Sequence, residues 1–169
     1  MNITAPSDFS HLWDTFEAVD IFYDDYGLER GHIIEAQGQF LEYISEIKNS
    51  NAIPQRSHVN PLKIVSFLPR IMMLDQSADE ISVRLSGTAI DRLYGNITGN
   101  NIDNLNDDDL SKYWKSCVDK VMQTRKPIVT RSKINFIQKS DCSITTLIIP
   151  LSSDGENISQ FLFLFDLID

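Results

Sequence analysis

Apolar and polar residues alternate from Ile81 to Ser86, with Ile81, Val83 and Leu85 set against Ser82, Arg84 and Ser86. This two-residue period belongs to a half-buried strand. Gly87 and Thr88 break the alternation, and Ile90, Leu93 and Tyr94 follow at helical spacing until Gly95. A strand therefore runs directly into a short helix. Upstream, residues 31–50 predict an amphipathic helix carrying Ile33, Ile34, Gln37, Phe40, Leu41, Ile44 and Ile47 on one side. Residues 61–68 predict a short helix stopped by Pro69, and residues 71–75 a first strand that turns at 76–79. Downstream of a polar loop at 100–109, residues 110–125 predict a helix with a stripe of Leu110, Tyr113, Trp114, Cys117, Val118, Val121 and Met122. Lys126 and Pro127 close it. Three strands follow at 128–138, 142–151 and 158–168, with turns at 140–141 and 153–155. In the first 30 residues Leu12, Phe16 and Val19 share a helical face, and aromatic residues are too frequent for a plain disordered tail.

The order strand, strand, helices, three-strand meander matches a PAS core. The wording from Ile81 to Gly99, an arginine on a strand, then G-T, a short helix ending Y-G, and T-G, resembles one PAS group found mainly in alphaproteobacteria. Two flanking runs strengthen the resemblance: Pro61 with F-L-P-R-I-M-M-L-D from Phe67, and L-I-I-P-L-S-S-D-G from Leu147. It covers residues 40 to 168. It implies an α+β fold: a PAS-like five-stranded antiparallel sheet with helices over one face, preceded by N-terminal helices. The chain then divides into an acidic amphipathic N-terminal segment at 1–30, a helix and loop flanking the core at 31–60, and the PAS-like core at 61–169.

The chain has 169 residues, 42% of them hydrophobic, enough for one domain with its own core. Its net charge of −9 is uneven, because the first 60 residues hold ten of the 24 acids and three of the 15 bases. An acidic chain is repelled by phosphate backbones, which argues against a nucleic-acid partner. The exception is a run from Ser111 to Ser140 with eight bases and one acid, Asp119. It reads either as a solvated face or as a docking face for an acidic partner or for this chain's own amino-terminal segment. The first 29 residues show no leader pattern, and no window approaches the roughly 18 apolar residues of a membrane span. The expectation is a cytoplasmic chain without membrane insertion, and its Cys117 and Cys142 are then reduced thiols.

The candidate chemistry is sparse. His11, His32 and His58 all precede the core, which argues against a helix-borne haem ligand, and Cys117 lacks the N-C-R-F context of flavin photoreceptors. No cofactor is therefore expected. Metal-ligand spacing, a phosphate loop and a G-x-S-x-G elbow are all missing, and the acids at 107–109 lack the alternation and glycine of a calcium loop. The chain is expected not to be an enzyme. Helices closing over the sheet would turn Leu85, Ile90, Leu93, Tyr94, Ile97, Trp114 and Val118 inward beside Ile149, Phe163 and Phe165. These walls describe a ligand pocket and an ordinary core equally well. Arg84 sits either on the outer face pairing with an acid or beneath a helix holding a carboxylate. The candidate pocket is thus Arg84, Leu85, Ile90, Tyr94, Ile97, Trp114, Val118, Ile149 and Phe163.

The resemblance implies a stand-alone sensory or protein-interaction module in bacterial signalling, without its own output domain. It would bind protein partners, form a homodimer through the N-terminal helices and accept an unidentified small molecule. The alternative is a small-molecule binder or cavity enzyme of the cyclase-like or isomerase-like curved-sheet type.

Overall fold

The computed structural model describes residues 3–4, 20–21, 33–105, 108–133 and 143–168. The helix expected around Leu12, Phe16 and Val19, the run 134–138, the turn at 140–141, Cys142, His11 and His32 lie outside the described residues. Five strands form the sheet: β1 (Ile71–Ser77), β2 (Glu80–Ser86), β3 (Ile128–Lys133), β4 (Ser143–Ser152) and β5 (Ile158–Ile168). Their order is β3-β4-β5-β1-β2 with every pairing antiparallel, and Asp20–Ile21 adds a short parallel strand beside β3.

Helix α1 (Glu35–Lys48) starts later than its periodicity suggests, because Ile33–Ile34 pairs as a strand with Ile3–Thr4. Gln37 marks the change, its Oε1 accepting the Ile34 amide at 3.4 Å. The helix buries Phe40, Leu41 and Ile44 against one face of the sheet, each contributing about 2 kcal/mol of transfer free energy. Residues 61–68 do not form one helix. Two 3₁₀ turns, Pro61–Lys63 and Leu68–Arg70, stand there instead, because Ile64 is buried and Phe67 packs against the core while Leu62 and Val65 are 82% and 61% exposed.

Helix α2 (Thr88–Tyr94) and helix α3 (Asp108–Thr124) cover the opposite face. Gly87 opens α2 in close contact with the chain ahead of β1: a Cβ there would lie 2.3 Å from the Leu68 and Pro69 carbonyl oxygens. Helix α3 buries Trp114, Cys117, Val118 and Val121, but Met122 at the stripe's edge is 39% exposed. Arg125, at φ 57, ends the helix.

The sheet therefore separates two cores. Along β5, Phe161, Phe163 and Phe165 point to α2 and α3, and Leu162 and Leu164 point to α1. Pro150 is tolerated in β4 because β3 begins at Ile128, opposite Ile148, leaving the next residues of β4 unpaired on that side. Segment 51–55 takes over there: Ser152 donates its amide to the Pro54 carbonyl at 2.9 Å, and Ile53 donates to the Gly155 carbonyl at 3.0 Å.

Candidate functional site

The strand alternation that defines β2 is broken by a bulge. Met73 pairs with Leu85 and Leu74 with Val83, so Arg84 is the extra residue of β2. The bulge turns Leu85 to the α1 face, away from Val83. Arg84 itself lies exposed on this edge strand, its Nη1 donating to Asp75 Oδ2 at 3.0 Å. Of the two readings open for this residue, the outer-face ion pair is the arrangement present. Ile149 also faces α1, because Ile144 and Ile148 take the other parity of β4. The remaining candidates, Ile90, Tyr94, Ile97, Trp114, Val118 and Phe163, come together beneath α2 and α3.

Trp114 fills the centre of that group. Its ring centroid lies 5.2 Å from Tyr94, 6.4 Å from Phe163 and 6.2 Å from Phe165, in edge-to-face arrangements. Such contacts add about 0.5–1.5 kcal/mol each beyond area burial. Behind the rings, Tyr113 Oη donates to Thr130 Oγ1. Burial pushes the Cys117 thiol up to about 12, against smaller opposing effects of hydrogen bonds from Tyr113, Thr130 and Ser116. The cysteine is a protonated packing residue.

A groove of about 410 Å³ opens at the end of the sheet where β1 begins and β5 ends. Ala89, Ile90, Leu93, Ile144, Phe165 and Leu167 give it apolar walls, and Arg70, Arg92 and Asp166 give it charge. Register builds the charged corner: Ile71 pairs with Leu164, which sets Arg70 beside Asp166. Arg70 Nη1 donates to Asp166 Oδ1, and the guanidinium carbon sits 5.6 Å from the centre of the Phe67 ring. The Asp166 side chain is 1% exposed and that of Arg70 is 30% exposed. Burial lowers the Arg70 pKa, yet a guanidinium stays protonated at neutral pH. Asp166 Oδ2 is buried without a donor among the described residues.

Ile90 is shared between this groove and the pocket expected from sequence, and Leu93 and Phe165 were expected to face inward. Arg70, Arg92 and Asp166 escaped notice as a group. One signal was present: Asp166 is the single charge in the apolar run from Phe161 to Leu167. No group of three or more His, Cys, Asp or Glu side chains able to hold a metal ion occurs among the described residues.

An antiparallel sheet of order β2-β1-β5-β4-β3 with α2 and α3 over one face is a PAS-like architecture. The family model described as PAS domain matches residues 34–165, and the chain belongs to that family. Among solved structures, one described as "Flavin Analogue Sheds Light on Light-Oxygen-Voltage Domain Mechanism" is similar at 14% identity. The match covers 64% of this chain and 83% of that one with a TM-score of 0.45. The curated proteins contain no match to this chain.

Proposed function

We propose that the chain is a non-catalytic sensory or protein-interaction module of bacterial signalling that works in the cytoplasm by binding a protein partner. The PAS match over residues 34–165 supports this reading best. A homodimer belongs to the proposal, and it falls to residues ahead of α1, whose Phe40, Leu41 and Ile44 are already spent on the sheet. Haem and flavin are left out: His58 lies on an exposed turn, and Cys117 is a buried thiol. No helix among the described residues is long and apolar enough to cross a membrane.

A second reading, a small-molecule binder or cavity enzyme, is favoured by the groove, whose size lies within the usual range for small-molecule sites. Its enzymatic form has little to work with, because Arg70 and Asp166 neutralise each other. Native mass spectrometry of freshly purified protein, repeated under denaturing conditions, separates the readings. A mass of twice 19.3 kDa without adduct supports the interaction module. An adduct lost on denaturation supports the binder, and a bare monomer removes the homodimer from the proposal.

A further inference from the structure

We infer that the groove between α2 and the end of β5 takes a small-molecule carboxylate with an apolar body. The inference deepens the sensory reading and rests on it only in supposing that such a ligand is the signal. Six apolar residues supply the walls, so most of the ligand must be hydrocarbon or aromatic surface. The charges at the rim are two guanidiniums and one carboxylate, a local excess of one positive charge on a chain of net charge −9. That excess selects a monoanion: a cation is repelled, and a neutral ligand forgoes the charge-assisted hydrogen bonds.

The two arginines are in different conditions, and both suit the task. Arg70 is held by the Phe67 ring and by Asp166, which occupies Nη1 alone, leaving Nε and Nη2 without hydrogen-bond partners among the described residues. A fork fixed on one side with donors to spare is preorganised for a second carboxylate. Arg92 is exposed on α2 and has no ion pair among the described residues. It would close over the ligand's charged end. The aromatic cluster around Trp114 is the weaker place for this ligand, because its centre is filled by ring contacts and brings no cation.

The test is isothermal titration of the full chain with decanoate, decanol and decyltrimethylammonium, each below its micelle concentration. Decanoate is expected to bind one to one, with decanol about tenfold weaker or more and the cation silent, as loss of a charge-assisted hydrogen bond requires. Arg92→Gln should weaken decanoate about tenfold and leave decanol unchanged. Ala89→Met, which fills the groove, should abolish both. Thermal unfolding of each variant is compared with the parent first, so that lost binding is not lost folding. Absence of decanoate binding, equal affinity for decanol, or indifference to Arg92→Gln overturns the inference. The dimer mass of the ligand-free chain is measured separately, so failure here leaves the interaction-module reading standing.

Discussion

Replacing Arg70 with methionine keeps an unbranched side chain under the Phe67 ring and removes the cation from Asp166. Asp166 then remains 1% exposed, with neither carboxylate oxygen paired among the described residues. Removing one partner of a buried ion pair costs about 3–5 kcal/mol, and the partial exposure of Arg70 places this case near the lower end, about 3 kcal/mol. Loss of the stacking on Phe67 is included in that figure, because exposed cation–π contacts contribute only about 0.5–1 kcal/mol. For a chain of this length the equivalent fall in melting temperature is about 6–12 °C. Asp166→Asn leaves the opposite orphan, a guanidinium that water can reach, and should cost about 1 kcal/mol. The double variant Arg70→Met, Asp166→Leu replaces the pair with apolar surface and should recover most of the loss. Urea unfolding with a shared slope gives all the values, and the double-mutant cycle gives the coupling. A loss below about 1 kcal/mol for Arg70→Met, or a double variant as unstable as the sum of the singles, would refute the view that this pair is a buried, coupled unit.

Three further outcomes follow from local geometry. Gly87→Ala sets a Cβ 2.3 Å from two backbone oxygens, so the start of α2 must separate from the turn at Leu68–Arg70. The urea midpoint should fall by the equivalent of about 2–3 kcal/mol, and an unchanged midpoint would show that the contact gives way freely. Asp154 accepts hydrogen bonds from the Asn157 amide and the Glu156 amide at 2.8 Å each, from Asn157 Nδ2 at 2.9 Å and from Ser152 Oγ at 2.8 Å. These hold its carboxyl well below the usual aspartate value, the Asn157 amide contributing most. A depressed folded pKa stabilises above the unfolded value of about 3.9 and is lost as pH falls through the folded one. The stability gap between parent and Asp154→Ala should thus be flat from about pH 7 to 5 and shrink below about pH 4. A gap that widens on acidification contradicts the assignment. Cys117 should resist iodoacetamide in the folded chain and react in urea, read by peptide mapping; labelling of the native state would show that α3 opens.

The elements with strong periodicity were legible in the sequence. Strand β5 matches its expected span, 158–168, because phenylalanine and leucine alternate from Phe161 to Phe165 in an apolar run of strand length, and α3 matches because its stripe is continuous. Helix α1 was legible as a helix but not in its start, since the pairing of Ile33–Ile34 with Ile3–Thr4 is non-local and leaves no mark in the helical period. The pocket was half legible. Six candidates assemble because helix faces and the parity of β5 place them, while Leu85 falls on the other side because a bulge adds one residue and inverts every later position. The groove was hardest to see. Arg70 and Asp166 are 96 residues apart and meet only through the register of β1 on β5.

The alternation along β5 makes one strand the party wall of two rooms. Its phenylalanines furnish the side closed by α2 and α3, its leucines the side closed by α1, and no residue separates the two sets. A rotation of the strand that gives room to a ring on one side moves a leucine on the other, and close packing along Phe161–Leu164 resists that displacement. Pressure applied under α3 therefore bears on a strand whose other face is packed against α1. The strand is a crankshaft, and α1 is where its turning would be felt.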